Sequence, residues 1–172
     1  MENEETSETA TAGNPWVWRE PDAGNACLSA HIDLLAPGYR HWTGRALVDH
    51  GLDPVARARA LFDAPFVVAS HGTGPDPIFN YGNRLAAALW ETTWQAFTAM
   101  PSRLSAAPIA QQERRGFLAR VGAHGHSDDY SGICISARGC RLRIRRATVW
   151  NVVDARGEHR RQAAVFREWE HL

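Results

Sequence analysis

The densest group of side chains able to do chemistry lies within residues 71–83. It sets five polar residues in an otherwise apolar stretch: His71, Asp76, Asn80, Tyr81 and Asn83. His71 and Asp76 are residue types that serve as a general base and its orienting carboxylate, and Tyr81 or an Asn side chain can polarise a carbonyl. The same types satisfy backbone donors in turns and cap helices. Turn and cap duty, ligand recognition and catalysis are three open interpretations, although no nucleophile lies beside a base.

A second polar group has the residue types of a metal site. Its members are His124, His126, Asp128 and Asp129. A metal ion needs three or four ligands that converge, whereas polar residues at the junction of a helix and a strand are typical of a solvated turn. We therefore predict that this group is a turn and that the chain has no metal site.

Aromatic side chains are the third notable feature. Trp90, Trp94 and Trp150 recur with Phe residues at helical and strand spacing, which usually indicates core packing. A cavity lined by such rings and a few polar groups would also suit a small, flat organic ligand. Trp150 and Asn151, on a predicted central strand, are the pair best placed for that role.

The elements that position these residues fall into three segments. Residues 1–14 contain four Glu and, after Met1, no large apolar group, so they are predicted to form a disordered acidic tail. Residues 15–63 are predicted to form a helical lead-in, and residues 64–172 a compact core. The lead-in has too many apolar side chains to stand free. It must cover a sheet face, either of its own chain or of a second protomer.

Local signals place helices within the lead-in. Leu28, Ile32 and Leu35 recur at helical spacing, and Pro37-Gly38 is predicted to end that helix. Asp53-Pro54 follows the pattern of a capping Asp with Pro at the first helical position, which starts another helix that runs to about Phe62.

The core has the order strand, helix, strand. Short apolar runs predict two strands, Asn83 caps a helix, and Pro108 precedes a longer one. Three alternating runs separated by hairpin signals then predict an antiparallel meander. The predicted strands span 65–71, 78–81, 127–137, 140–153 and 159–169. This order indicates an α+β fold, a five-stranded antiparallel sheet with helices on one face and an N-terminal helical extension.

Three cysteines are too few and too scattered for a disulfide framework or a zinc cage. If Arg138-Gly139 is a two-residue turn, Cys140 pairs with Ala137 and Cys134 pairs with Arg143. The two cysteines then do not face each other across the hairpin, so no disulfide is expected.

Charge and hydropathy limit the class of protein. The 19 basic residues, all Arg, balance 19 acidic ones, and no apolar stretch is long enough for a membrane helix. The acidic start of the chain argues against a signal peptide, so we expect a cytoplasmic protein with no membrane association. Eight Arg lie within residues 138–161, either as a solvated sheet face or as a contact surface for an acidic partner. No basic recognition helix is visible, so no direct nucleic-acid binding is expected.

Residue strings across most of the chain resemble the MEKHLA domain family, from about Tyr39 to Trp169. The strings are Ser70-His71-Gly72-Thr73, Asp76-Pro77-Ile78-Phe79-Asn80-Tyr81-Gly82-Asn83, Leu89-Trp90-Glu91, Trp94, Phe97, Pro101-Ser102-Arg103-Leu104-Ser105 and Val149-Trp150-Asn151. The resemblance implies a PAS-like fold and a sensory or regulatory role. Members of this family occur as stand-alone bacterial proteins and at the C-terminus of plant homeodomain regulators.

The PAS resemblance raises the question of a cofactor, and we predict none. A flavin-type photoreceptor needs a reactive Cys on a helix, and no Cys lies between residues 83 and 123. A haem-binding PAS domain needs an axial His on the long helix. Only His124, at its very end, keeps that alternative open.

These observations predict a sensory or regulatory domain with no intrinsic catalysis. It would bind a small hydrophobic or aromatic ligand, a protein partner or both, and form a homodimer. The predicted ligand-binding residues are His71, Asn80, Tyr81, Asn83, Trp90, Trp94, Trp150 and Asn151. The alternative is a small cofactor-free enzyme, an isomerase or cyclase acting on a hydrophobic metabolite. In that enzyme His71 and Asp76 would transfer protons, with Tyr81 as a third catalytic candidate.

Overall fold

The computed structural model describes residues 18–172, so the predicted tail 1–14 lies outside the described residues. Within that range, five α-helices and six strands account for the main elements. They are α1 Ser29–Thr43, α2 Pro54–Phe62, β1 Val67–Gly72, β2 Phe79–Gly82, α3 Arg84–Leu89, α4 Trp94–Phe97, α5 Gln111–His124, β3 His126–Ile135, β4 Arg141–Val153, β5 His159–Phe166 and β6 Glu168–His171.

All of the strand pairs are antiparallel, and the sheet has the order β2-β1-β5-β4-β3 with β6 also paired to β4. The predicted third meander strand is divided into β5 and β6. Both parts keep one register on β4, because Thr148 faces Val165 and Leu142 faces His171. The break lies where Arg146 adopts a φ of 51°. The predicted five-stranded PAS-like sheet is confirmed, with its last strand in two parts.

The register of the β3–β4 hairpin differs by one residue from the prediction. Cys134 pairs with Leu142, and the Ser136 N–H donates to the Cys140 carbonyl across a three-residue loop. Gly139, with a φ of 85°, occupies the left-handed position that such a loop requires. The prediction was wrong because it assumed a two-residue turn. Cys134 is buried, Cys140 is exposed, and both are free thiols.

Helix α1 continues through the predicted stop at Pro37-Gly38 and ends at Thr43. Pro37 lacks the N–H that would bond to the carbonyl of Asp33, so one helical hydrogen bond is missing. Leu35 and Tyr39, on either side, are fully buried against the sheet. Their burial outweighs the loss of one hydrogen bond, so packing rather than local signal sets the helix length.

Two predicted caps are confirmed. The Asp53 carboxylate accepts hydrogen bonds from the N–H groups of Val55 and Ala56 at the start of α2. The Asn83 side chain accepts from Ala86 at the start of α3. Both caps supply partners for N–H groups that have none within the helix.

Apolar cores lie on both faces of the sheet. The outer core joins α1 and α2 to side chains of β1, β4 and β5, with Ile32, Leu35 and Trp150 at its centre. The inner core joins α3 and α4 to the opposite face, with Phe79, Leu142 and Phe166. Of the two arrangements expected for the lead-in, the structure shows the first, since the lead-in covers the sheet of its own chain.

We predict that Leu35→Ala destabilises the protein by about 2–5 kcal/mol, because it removes a side chain that is fully buried between α1 and the sheet. Arg40→Ala, on the exposed side of the same helix, is the matched control and should cost no more than about 0.5 kcal/mol. Urea unfolding at neutral pH measures both. Equal small losses would show that α1 is not required to cover the outer face.

Candidate functional site

A cleft of about 280 Å³ opens between the β1–β2 loop, helix α5 and the start of β5. Backbone and small side chains of residues 72–77 form one wall, and α5 forms the other. The polar side chains that line it are His71, Thr73, Asp76, Ser102, Arg103, Gln111, Arg114, Arg115, His159 and Gln162. Its volume lies just below the range of roughly 300–1,000 Å³ for ligand pockets.

His71 lies on β1 at the cleft and is 7% exposed. Its Nδ1–H donates to the carbonyl of Gly72 at 2.7 Å, which leaves Nε2 as the acceptor nitrogen of a neutral ring. Burial lowers the pKa of His71 to about 4, and the positive charge of Arg114 adds to this effect, although the bond to Gly72 opposes it. The ring therefore enters the cleft uncharged at neutral pH.

The predicted pairing of His71 with Asp76 is wrong. The Asp76 carboxylate accepts a hydrogen bond from Nε of Arg103 at 3.0 Å, and both side chains are about half exposed. The group that orients His71 is the carbonyl of its own neighbour, Gly72. A base held by a carboxylate, as the enzyme hypothesis requires, is thus not formed.

Arg114 is the cation that lies deepest in the cleft. It projects from α5, is half buried, and its Nη1–H donates to the carbonyl of Ser102. Arg114 therefore faces inward from α5. The sequence offers no signal for this inward position, because arginine at that point of an amphipathic helix usually meets solvent.

A small apolar cavity of about 50 Å³ lies beneath the cleft, against the inner core. Four residues line both spaces and therefore lie between them: His71, Arg114, Leu118 and Gln162. Trp90 also lines the inner cavity, and its indole N–H is buried without a partner among the described residues. Of the predicted ligand-binding residues, His71 and Trp90 are those that line this paired space.

Asn151 faces the side of the sheet on which the cleft lies, but its side chain forms hydrogen bonds within the cleft wall. Its Nδ2 donates to the carbonyl of Gly122 on α5 at 3.0 Å, and its Oδ1 accepts from Gln162 at 3.1 Å. Gln162 also donates to the carbonyl of Leu118. Side chains of β4 and β5 thereby fix the position of α5 across the inner face.

Trp150 and Trp94 lie in the outer core, away from the cleft. The Trp150 indole donates to the carbonyl of Leu35 at 3.3 Å, and the Trp94 indole donates to the carbonyl of Trp18 at 2.8 Å. The expectation that Trp150 and Asn151 line one cavity is wrong, because successive side chains of a strand point to opposite faces. Both tryptophans anchor the lead-in.

Asn80 and Tyr81 also belong to the outer side. The Ser70 hydroxyl donates to Oδ1 of Asn80 at 2.6 Å and accepts from Nε2–H of His31 on α1 at 3.0 Å. The Tyr81 ring lies 5.4 Å from His31, and its hydroxyl is buried without a partner among the described residues. A register shift in the β1–β2 pairing accompanies this arrangement, which sequence alternation did not indicate.

Asn83 is fully buried and performs the cap and turn duty that was one of its three interpretations. Besides capping α3, its Oδ1 accepts from the N–H of Val68, and its Nδ2 donates to the carbonyls of Phe66 and Leu61. The side chain thus joins the end of α2 and the start of β1 to α3.

Known proteins can be compared with this geometry. The family model described as "MEKHLA domain" matches residues 29–171, most of the chain. The chain belongs to the MEKHLA domain family. No curated protein matches it.

Solved structures share the PAS fold at low sequence identity. The PAS domain of a protein from Colwellia psychrerythraea has a TM-score of 0.57 and 10% identity, covering 68% of this MEKHLA chain and 94% of that chain. An RNA-binding light-oxygen-voltage receptor has a TM-score of 0.59 and 17% identity, with 70% of this chain and 34% of that one covered. A light-oxygen-voltage domain studied with a flavin analogue has a TM-score of 0.51 and 14% identity, with coverages of 68% and 84%. At these identities the likeness concerns the fold alone.

The polar group at the end of α5 is not a turn in this MEKHLA domain, because His124 ends α5 and His126, Asp128 and Asp129 belong to β3. The His126 ring stacks on Trp42 of α1 at 4.8 Å, and its Nε2 lies 3.9 Å from the Asp128 carboxylate. Within residues 18–172, no three His, Cys, Asp or Glu side chains are arranged to hold a metal ion. No helix in the same range has the length and apolarity needed to cross a membrane.

His31, on α1 at the outer face of the sheet, is a buried polar residue that the sequence interpretation missed. Its position four residues before Leu35 places it on the buried face of α1, which was the available signal. Burial lowers its pKa to about 3, and the charge of Arg161 adds to the effect. With its Nε2–H donated to Ser70, its Nδ1 is left as a buried acceptor without a partner among the described residues.

We predict that the MEKHLA domain loses stability as the pH falls from 6.5 to 5. His31 and His71 have folded pKa values of about 3 and 4, below the ordinary value of 6.5, so the unfolded chain binds more protons in this range. The loss should approach about 1.4 kcal/mol per pH unit for each histidine. Urea unfolding at three pH values measures the slope. His31→Gln, which retains a donor for Ser70, should remove about half of it, and an unchanged slope would contradict the assignment.

Proposed function

We propose that this MEKHLA domain is a sensory or regulatory domain that binds a small molecule in the cleft at His71. The observation that carries the proposal is that a cleft and an apolar inner cavity lie side by side, with four side chains that line both. Pockets that combine an apolar wall with a few polar groups are the usual sites of small ligands. The cleft also lies in a PAS-like fold, between the sheet and its long helix.

Successive side chains of β1 point to opposite faces of the sheet, so this strand connects the cleft to the lead-in. His71 faces the cleft, whereas the preceding residue, Ser70, accepts the hydrogen bond of His31 on α1. A ligand that shifts His71 would therefore also move the partner of His31. The output of the proposed sensor is a change in how α1 sits on the outer face.

The two other hypotheses receive less support. The enzyme hypothesis lacks its orienting carboxylate, because Asp76 is paired with Arg103. The hypothesis that the Arg-rich strands contact a partner has less support because their arginines pair within the chain. Arg143 and Arg145 both bind Glu170, and Arg146 binds Glu168. A homodimer stays a prediction, and apolar lead-in residues such as Ile32, Leu35 and Tyr39 are buried within the chain.

Native mass spectrometry of protein purified from its own host tests the proposal. We expect a retained small molecule in the wild type and its loss in Ala119→Trp, because Ala119 lines the cleft on its exposed side and the larger ring would obstruct it. Gln112→Trp, at an exposed position of α5 outside the cleft wall, is the control and should retain the molecule.

The melting temperatures of the two variants should agree to within a few degrees, which separates loss of binding from loss of fold. An empty wild-type protein, or equal retention by Ala119→Trp and the wild type, would contradict the proposed function.

A further inference from the structure

The charges that line the cleft are unequal. Three arginines, Arg103, Arg114 and Arg115, face a single carboxylate, that of Asp76. Nε of Arg103 lies 3.0 Å from Oδ1 of that carboxylate and pairs with it. Arg114 and Arg115 on α5 thus have no carboxylate partner within residues 18–172. The three arginines and the one carboxylate give the cleft a net charge of +2, and a bound anion would balance it.

Arg114 is held in a position suited to such an anion. Its Nη1–H donates to the carbonyl of Ser102, a carbonyl that is itself fixed by the Ser105 hydroxyl at 2.7 Å. One of five guanidinium N–H groups is used in this way, so the others remain to bind a ligand. A planar guanidinium with its orientation fixed matches a carboxylate in a two-point hydrogen bond.

The side chains around Arg114 indicate the size and polarity of the rest of the ligand. Leu118 lines both the cleft and the inner cavity, whose walls include Phe79, Trp90 and Ile144. The inner cavity, at about 50 Å³, has room for only a small apolar group. A ligand that fills both spaces therefore has one charged end at Arg114 and a short hydrocarbon or aromatic body toward Leu118.

We propose that the ligand of this cleft is a small organic carboxylic acid, bound through its carboxylate by Arg114 and with its apolar end directed past Leu118 to the inner cavity. The inference rests on the proposed function and adds the chemical class of the ligand. It excludes amines, which the cleft would repel. It also excludes nucleotides, which are larger than a cleft of about 280 Å³ accommodates.

Isothermal titration with matched pairs of probes tests the proposal on protein stripped of any retained molecule. Benzoate is compared with benzamide, and hexanoate with hexanamide, because each pair differs in charge at nearly constant size. At least one acid should bind about tenfold more tightly than its amide at low salt, as expected for a charge-assisted two-point bond.

Arg114→Gln should remove this preference by weakening the acid about tenfold while leaving the amide unchanged. Arg120→Gln is the control, since Arg120 lies on the same helix, is exposed and is absent from the cleft wall. It should bind both probes as the wild type does. Circular dichroism melting of each variant shows that the fold is retained.

Three results with the acid and amide probes would overturn the inference. They are equal binding of acids and amides, a preference that survives in Arg114→Gln, and no binding of any acid probe. Inorganic phosphate that competes as well as benzoate would also overturn it, because the site would then recognise anions in general. None of these results contradicts the proposed function, which depends on a retained molecule of any class and on its loss in Ala119→Trp.

Discussion

The sheet of this MEKHLA domain is apolar on both faces, and most of its structure follows from the need to cover them. Trp150, Val68 and Val165 face outward, while Val67, Phe79 and Phe166 face inward. Water on either face would cost about 25 cal/mol per Å² of exposed apolar surface. The short helices, including α3 and α4, cover one side, and the lead-in covers the other. The continuous helix α1 and the indole bond from Trp150 to Leu35 are consequences of that second layer.

Polar groups are distributed according to the same two layers. On the outer side, His31, Ser70 and Asn80 form a short chain of hydrogen bonds between α1 and the sheet edge. On the inner side, Asn151 and Gln162 hold α5 to the meander. Each set satisfies groups that burial would otherwise leave without water. Strand β1 belongs to both, which is why the cleft and the lead-in share adjacent residues.

The arginines separate into two kinds by their partners. Those on β4 and β5 mostly meet carboxylates of nearby strands and turns, as Arg145 does with Glu170 and Arg160 with Asp154. Exposed pairs of this kind contribute little to stability but remove net charge from the surface. Arg114 and Arg115 differ because α5 brings them to a cleft whose one carboxylate is already bound. The overall neutrality of the chain therefore conceals a local excess of positive charge.

The sequence by itself determined the α+β class, the strand positions and the caps at Asp53 and Asn83. These depend on residues a few positions apart, whose preferences act within one turn or strand. Tertiary structure alone decided that α1 passes Pro37, that Trp150 faces the lead-in and that Arg114 enters the cleft. Trp150 and Leu35 are 115 residues apart, and the carbonyl that holds Arg114 lies on a separate short helix. Contacts between distant segments compete with local preference and can override it, so they leave no pattern in the neighbouring residues.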